Sequence, residues 1–318
     1  MKKAFCLILC LISCLFAFGC GGLSLDMNLS KDDVASWSYS GTGYEKSVFD
    51  VVRKDDKGNV LGSGTLTLTL DKDEQYSTTS SSYSSLVCEF SFTQNDITDT
   101  ITSKAVFDNK SVYTVYSEKT VDLQSDKSKS YKFTCDYLND NKVTYYIGGS
   151  ETPVTLSTES MLSAYSGAVY DNESLYYVAR AFNADSQQMG NFALTNLYDC
   201  YLSSNVNAYK IYYRTETDLY LTNDDFKDGK LSLWGYNNGK LPTYQVNLSI
   251  DDELSGPPVK LWYTDPDVTF KGNDFANTEI SGNKKVLVKI MTTSYNVSTG
   301  ATDYTTTYTL SEYDTVKK

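Results

Sequence analysis

The segment Gly64-Thr65-Leu66-Thr67-Leu68-Thr69-Leu70 decides the fold class of this chain. Successive side chains of a β-strand point to opposite faces of a sheet, so the leucines share one face and the threonines share the other. This alternation predicts a strand with one face in the core and one face in solvent. The same period of two recurs at Ser47–Lys54, Ser111–Ser117, Lys142–Ile147, Asn207–Arg214, Lys230–Trp234, Gln245–Ile250, Lys285–Met291 and Tyr304–Leu310.

Turn-forming residues separate these segments. Asp55–Asn59, Asp228-Gly229 and Asn237–Gly239 supply residues that tolerate positive φ, which tight hairpins require. We interpret Ser77–Ser85 as a longer hairpin connection, because it lies between two strong strand patterns. Strands joined by hairpins pair antiparallel. The pattern therefore predicts an antiparallel sheet with one packed face and one wet face.

A helical segment interrupts the strand pattern in the middle of the chain. Asn172 can cap a helix, and Leu175, Val178, Ala179 and Phe182 follow at the spacing of one helix face. Thr158–Tyr165 is predicted to form a shorter helix before it. Ser186–Leu202 stays open between helix and strand, because its apolar residues are helix-spaced but Gly190 weakens a helix.

We expect one β-rich domain over residues 35–318, since no Pro-rich linker and no internal repeat divides it. Two sheet halves, at about residues 35–157 and 203–318, are expected to be joined by the helical segment. A chain of this length can bury about 75% of its unfolded surface. The expected fold class is mainly β: a large curved antiparallel sheet, half-open barrel or sandwich-like, with one or two helices inserted near residues 158–184.

The first twenty residues carry the features of an export signal. Lys2 and Lys3 precede an apolar run from Ala4 to Phe18, which is short for a membrane span and suits a secretory signal. The run ends in Ala17-Phe18-Gly19-Cys20, which resembles the lipobox of bacterial lipoproteins. In that family the cysteine is diacylglycerated and becomes the new N-terminus. The resemblance implies lipidation of Cys20 and a protein held on the cell membrane, outside the cytoplasm.

Three alternatives to this assignment remain. Leu11-Ile12-Ser13-Cys14 fits the box better residue by residue, but it leaves an apolar run of only about seven to ten residues. An ordinary signal peptide or an uncleaved anchor is also possible. We prefer Cys20, with a signal peptide at residues 1–19 and a flexible tether at residues 20–34. Removing residues 1–19 takes away two of the 28 basic residues and none of the 40 acidic ones, so the net charge changes from −12 to −14.

The composition argues against several classes of function. The chain has no histidine, which excludes a Ser-His-Asp site, a Cys-His site and the usual His-bearing catalytic zinc sites. A net charge of −12 without a basic run makes nucleic acid a poor partner. Gly62 and Gly64 belong to a strand pattern and not to a phosphate-binding loop. We therefore expect a protein that is not an enzyme, with no cofactor, no metal and no catalytic residue.

Acidic clusters are the remaining candidates for chemistry. They are Asp71–Glu74, Asp224-Asp225, Asp251–Glu253 and Asp265–Asp267. A calcium loop that starts at Asp224 fails, because Phe226 occupies its third position, where an oxygen ligand is required. The clusters flank strand ends, where Asp commonly forms turns. We interpret them as turns; the alternative is a carboxylate pair for sugar hydrolysis.

Three cysteines remain in the exported part besides Cys20, namely Cys88, Cys135 and Cys200. An odd number without a Cys-x-x-Cys motif does not make a disulfide framework. Cys88 and Cys135 lie on the apolar faces of strand patterns. They are expected to be buried, reduced thiols that act as small hydrophobic side chains, although one disulfide remains possible.

The order of the predicted elements carries a second resemblance. Strands are followed by a helix with Ser174–Arg180, and later by Lys260–Asp265 and Val286–Ile290. This arrangement resembles the outer-membrane lipoprotein carrier superfamily and related bacterial envelope domains. Those proteins fold a curved antiparallel sheet into a half-open barrel around a helical lid, and several hold lipid or acyl chains. The resemblance implies a non-enzymatic envelope protein that binds an apolar or amphiphilic ligand in the concavity.

The aromatic residues support a second hypothesis. The chain has 27 Tyr, 13 Phe and 3 Trp, and tyrosine suits half-buried sheets. In a strand, the pairs Tyr145-Tyr146, Tyr176-Tyr177 and Tyr212-Tyr213 would each send one ring inward and one outward. Outward rings, with Trp234 or Trp262, would form a surface for glycan or peptide, as in an adhesin-like module. A carboxylate-based hydrolase is the third class.

Overall fold

The computed structural model describes residues 43–76, 83–148, 150, 152–164, 170–171, 174–182, 189–197, 206–226, 239–249, 259–270, 284–295 and 302–315. Its strands in the first half are β1 Tyr44–Asp55, β2 Val60–Glu74, β3 Tyr83–Gln94, β4 Ile97–Asp108, β5 Thr114–Asp122, β6 Tyr131–Asp136, β7 Lys142–Ile147 and β8 Val154–Ser157. The remaining strands are β9 Tyr170–Asp171, β10 Met189–Asn196, β11 Asn207–Thr222, β12 Lys240–Ser249, β13 Val259–Thr264, β14 Leu287–Tyr295 and β15 Thr302–Asp314.

The described residues include two short α-helices between the strands. They are α1, Glu159–Ala164, and α2, Leu175–Val178. Three 3₁₀ turns are described, at Lys127–Lys129, Ala179–Ala181 and Asn223–Phe226. In the described residues no helix is long and apolar enough to cross a membrane.

The described strands form one curved sheet, in the order β8-β7-β6-β5-β4-β3-β2-β1-β15-β14-β13-β12-β11-β10-β9. Neighbours pair antiparallel, except that β9 pairs parallel to β10. The first and last strands pair along most of their lengths, from Lys46 opposite Asp314 to Asp55 opposite Tyr304. The sheet is not closed, because its edges β8 and β9 are not paired with each other. The predicted mainly β class and large curved antiparallel sheet are confirmed.

The alternation in the sequence explains which face is buried. Leu66, Leu68 and Leu70 are at most 2% exposed, whereas the intervening threonines of β2 are not buried. Opposite them, Phe49 pairs with Leu66, and both have no exposed surface. Inward residues from all parts of the sheet join one hydrophobic core. This core is the concave side of the sheet.

The segment Ser186–Leu202, for which the sequence did not decide between helix and strand, contains the strand β10 at Met189–Asn196. Gly190 is not a helix breaker here, because an added Cβ would lie 2.7 Å from the ring of Tyr213 on β11. The glycine thus makes room for an aromatic ring of the neighbouring strand. Phe192, Ala193, Leu194 and Thr195 are all buried, so both faces of β10 are covered. A strand buried on both faces loses the period of two that would have identified it.

Candidate functional site

The interior of the curved sheet is occupied by a segment that we call the plug segment, residues 174–182. It contains α2 and the 3₁₀ turn at Ala179–Ala181, and none of its side chains is more than 6% exposed. The sequence predicted a helix with one apolar face at this place. Because the sheet curves around the segment, all of its sides are buried and not one face alone.

The plug segment is held to the sheet through its backbone carbonyl oxygens. The hydroxyl of Tyr263 on β13 donates to the Tyr176 carbonyl at 2.6 Å, and the hydroxyl of Tyr244 on β12 donates to the Arg180 carbonyl at 3.4 Å. Nζ of Lys285 donates to the Phe182 carbonyl at 3.4 Å. The inner wall thus places polar donors within an apolar surface, in which the Tyr244 and Tyr263 rings stack at 5.4 Å.

A buried ion pair ties the plug segment to β1. Nη1 of Arg180 lies 2.9 Å from Oε1 of Glu45, and each side chain is 2% exposed. The second carboxylate oxygen of Glu45 accepts a hydrogen bond from the Tyr313 hydroxyl at 3.2 Å. Nη2 of Arg180 donates to the Lys284 carbonyl at 2.6 Å. Burial alone would lower the pKa of Arg180, but the Glu45 carboxylate raises it above its ordinary value, so Arg180 stays charged.

Lys72 on β2 interacts electrostatically with both members of this pair. Its side chain is half-buried, and burial together with the positive charge of Arg180 lowers the pKa of Lys72 to about 8. The Glu45 carboxylate acts in the opposite direction. This end of the interior therefore carries several interacting charges, although its walls are mainly apolar.

A second polar cluster holds the edge strand β9 against the inner face of β5. Oδ2 of Asp171 accepts hydrogen bonds from the Ser117 hydroxyl at 2.8 Å and from the Tyr137 hydroxyl at 2.5 Å. The backbone N–H of Asp171 donates to Thr114 at 3.2 Å, and Thr114 also contacts Ser174. Burial and the Asp171 carboxylate raise the pKa of Tyr137 well above its ordinary value. The cluster holds β9 in place directly before the plug segment.

Aromatic packing fills the remaining space around the plug segment. The ring of Phe182 stacks on Tyr213 of β11 with centroids 3.9 Å apart, and Phe192 of β10 lies 5.7 Å away. Inner-face side chains of the other sheet half, such as Phe92 and Tyr145, have no exposed surface. Such side chains touch no space as large as a water molecule. The described side chains around the plug segment are therefore closely packed.

The acidic clusters that the sequence singled out lie in local turns or strand ends where the structure describes them. Oδ1 of Asp71 accepts the N–H of Asp73, and Oδ1 of Asp265 accepts the N–H of Asp267. Asp225 accepts from Thr222 and pairs with Lys289. In the described residues no group of three or more Cys, Asp or Glu side chains could hold a metal ion. Asp251–Glu253 lies outside the described residues.

The predicted pairs of tyrosines behave as the strand pattern requires. Tyr145 and Tyr213 are buried, whereas Tyr146 is 37% exposed and Tyr212 is half-buried. Tyr176 and Tyr177 are both buried, because they lie in the plug segment. The exposed tyrosines of the described residues lie on separate strands, namely Tyr146 on β7, Tyr220 on β11 and Tyr295 on β14. They do not form one aromatic surface.

The surroundings of Trp262 and of the two described cysteines do not indicate a binding site. Trp262 of β13 is partly buried and lies under Nζ of Lys289, 5.4 Å from the ring centroid. Cys88 and Cys135 are buried thiols without a disulfide, as expected. Several predicted features lie outside the described residues, namely the signal and tether at residues 1–34, Cys14, Cys20, Asn172, Cys200, Lys230–Trp234 and most of Ser77–Ser85.

The charged residues of the interior were not among the candidate residues predicted from the sequence. Glu45 and Arg53 have the same parity along β1 as the buried Phe49 and Val51, so their inward direction was readable from the alternation. Arg180 was not readable in this way, because it lies off the apolar stripe of the predicted helix. Asp171 precedes that helix, and its burial depends on the distant strand β5.

Comparison with known proteins gives a weak structural similarity. No protein-family model matches the chain. No curated protein matches it either. A β-barrel-like protein with a domain of unknown function, DUF1849, from Brucella abortus covers 87% of this chain and 99% of its own, at 10% identity and a TM-score of 0.42. A DUF1329 family protein from Desulfovibrio piger covers 90% and 91%, at 11% identity and a TM-score of 0.29.

Proposed function

We propose that this chain is a non-enzymatic lipoprotein of the bacterial cell envelope that binds an amphiphilic ligand inside its curved sheet. Cys20 would carry the lipid, and the domain would stand outside the cytoplasm on the tether at residues 20–34. The observation that carries the ligand proposal is the chemistry of the inner wall. Its donors, Tyr244, Tyr263 and Lys285, bind backbone carbonyls of the plug segment.

A carbonyl oxygen is not specific to a protein backbone. An ester, amide or hydroxyl oxygen of a ligand can accept the same hydrogen bonds, and the stacked tyrosine rings offer apolar contact beside them. Small-molecule sites commonly combine an apolar lining with a few placed polar groups. The wall therefore suits a ligand with an apolar body and a few oxygen acceptors. Because the plug segment fills the space, the ligand enters only when this segment moves.

Native mass spectrometry combined with hydrogen exchange tests the ligand proposal. The protein is exported with Cys20→Ser and exposed to decanoate, decyl phosphate and decanol. We expect a bound ligand, with faster amide exchange in residues 174–182 and unchanged exchange in β2 and β3. Absence of binding by all three compounds would refute the proposal. Binding without a change in the plug segment would show that the ligand occupies another place.

Fractionation of cells tests the anchor separately. Cys20→Ser is expected to release the protein from the membrane, because diacylation gives the stable attachment that a single chain does not. Cys14→Ser serves as the matched control and should leave the protein on the membrane. Retention of the Cys20→Ser protein together with release of the Cys14→Ser protein would assign the lipid to Cys14. Retention of both would indicate an uncleaved anchor.

Two carboxylates of the interior, Glu45 and Asp171, have contacts that suit a structural role and support the non-enzymatic proposal. Glu45 is bound to Arg180 and Tyr313, and Asp171 accepts from Ser117 and Tyr137. Each of them holds the plug segment or β9 in place. The chain also lacks histidine, the most common proton carrier near neutral pH.

A further inference from the structure

Arg53 is a second buried arginine of the interior, and it lies at the other end of β1 from Glu45. The two residues are eight positions apart, which is roughly 26 Å along an extended strand. Arg53 has the same parity as Phe49 and Val51, and its side chain is turned inward and only 6% exposed. A cation is therefore buried in the apolar interior, far from the Arg180–Glu45 pair.

Two aromatic rings hold the guanidinium of Arg53. Its Cζ lies 4.4 Å from the centroid of Phe92 on β3 and 4.5 Å from the centroid of Tyr304 on β15. Nε donates to the Thr306 hydroxyl at 3.1 Å. Gly62 stands opposite Arg53 in the register of β1 and β2. An added Cβ on Gly62 would lie 2.8 Å from the Phe92 ring, so this glycine allows the ring to reach the guanidinium.

Arg53 has no counter-ion among the described residues. Its one hydrogen bond uses Nε, and no ion pair is formed there, in contrast to the pairing of Arg180 with Glu45. Asp99 lies opposite Phe92 on β4, but its carboxylate accepts from the N–H and the hydroxyl of Ser125. Among the described residues, the buried side-chain atoms that lack a hydrogen-bond partner do not include either Nη atom of Arg53. Both Nη atoms therefore remain accessible to solvent.

An unpaired buried arginine is unusual because of its chemistry. The guanidinium cannot lose its proton at physiological pH, and burial of a charge is costly unless an opposite charge or several hydrogen bonds compensate it. The two rings compensate in part through cation–π contacts. They cover the faces of the guanidinium and leave its Nη edge open. That edge has the geometry that binds carboxylate or phosphate oxygens in pairs.

We propose that Arg53 is the anion-binding subsite of the interior and takes the carboxylate or phosphate headgroup of an amphiphile. This proposal rests on the proposed function and specifies its ligand class. The adjoining wall is aromatic, because Phe90 lies 6.1 Å from Phe92 and 6.2 Å from Tyr308 between ring centroids. The first methylene groups beyond the headgroup would contact these rings. A ligand of this kind is anionic at one end and apolar along the rest.

Titration calorimetry of the exported Cys20→Ser protein tests the proposal with three ligands of one chain length. Decanoate and decyl phosphate are expected to bind at least about tenfold more tightly than decanol, as a charge-assisted pair requires. Arg53→Met keeps the stacking bulk, removes the charge and is expected to abolish this preference while leaving decanol binding unchanged. Arg214→Met is the matched control, because Arg214 is 37% exposed, and it should keep the preference.

Inorganic phosphate provides an independent readout that needs no acyl chain. Phosphate is expected to raise the melting temperature of the unsubstituted protein more than that of Arg53→Met, with chloride of equal ionic strength as the reference. Arg53→Lys replaces Arg53→Met if the latter fails to fold, and it should keep part of the phosphate effect. This comparison also separates a free anion from a lipid headgroup as the occupant.

The outcomes separate this proposal from the proposed function. Equal binding of decanol and the anions would overturn the role of Arg53 and leave an amphiphile site standing. If none of the three ligands binds but phosphate raises the melting temperature in a way that depends on Arg53, the anion subsite is supported and the amphiphile proposal is refuted. An equal phosphate effect in Arg53→Met would overturn the subsite.

Discussion

Replacing Glu45 with glutamine is expected to lower the free energy of unfolding by about 3 to 5 kcal/mol, which is the typical cost of removing one partner of a buried ion pair. The pair is enclosed, since both side chains are 2% exposed and the two charged atoms are 2.9 Å apart. Arg180 cannot escape the loss by becoming neutral. Glutamine keeps an oxygen that can accept from Tyr313, so the change isolates the charge.

A double substitution separates the charge from the packing. In Glu45→Gln/Arg180→Met both charges are absent, so the cost of an unpaired buried cation disappears. We expect the double variant to be about 1 to 3 kcal/mol more stable than the sum of the two single changes predicts, because residues in direct contact do not behave additively. Additive effects would mean that the pair does not interact in the folded protein.

Urea unfolding followed by circular dichroism measures these differences by linear extrapolation. Glu74→Gln is the matched control, because Glu74 pairs with Lys104 at 3.0 Å while the two side chains are 22% and 32% exposed. A partly exposed pair contributes about 1 kcal/mol or less. If Glu45→Gln costs no more than Glu74→Gln, burial does not decide the energy of these pairs and the reasoning is wrong.

Three further predictions concern the same interior. Burial lowers the pKa of Lys72 to about 8, so the unfolded chain holds this proton more tightly than the folded protein does. The free energy of unfolding should therefore rise by up to about 1 kcal/mol between pH 7.5 and 9.5, after allowance for partial exposure. Lys72→Met should flatten this dependence of stability on pH. Gly64→Ala should cost at least about 2 kcal/mol in urea unfolding, because the new Cβ would overlap the Ser91 carbonyl oxygen; an unchanged midpoint would contradict this contact. Asp171→Asn should speed amide exchange in β9 and the plug segment while leaving β2 and β3 protected, and uniform acceleration across all strands would argue against a local role.

The sequence was sufficient to predict the strands that have one face in the core and the other in solvent. Leu66 and its neighbours alternate because one face meets the core and the other meets solvent, and the structure follows that pattern residue by residue. The same rule placed Tyr145 inside and Tyr146 outside. These predictions needed only local geometry, since the direction of a side chain in a strand is set by its parity.

The interior could not be predicted in the same way, because it depends on contacts between distant parts of the chain. Arg180 meets Glu45 across 135 positions, and nothing local marks the two residues as partners. Arg53 and Glu45 look alike in the β1 pattern, as charged residues on an apolar face. Only the packing shows that Glu45 is paired with a cation, whereas Arg53 lies between two aromatic rings. The strand β10 could not be assigned from the sequence for a related reason, because both of its faces are covered.

The buried pair links the stability of the fold to the proposed ligand binding. A ligand that needs the plug segment displaced binds with an affinity reduced by the fraction of molecules in which the segment is open. Glu45→Gln weakens the contact that holds the segment closed, so it should lower stability and raise ligand affinity together. If about 1.4 kcal/mol of its cost falls on the closed state, the apparent affinity for decanoate should rise about tenfold. Calorimetry with Glu45→Gln and Glu74→Gln measures this difference. A weaker affinity in Glu45→Gln would mean that the plug segment is part of the binding site and does not compete with the ligand.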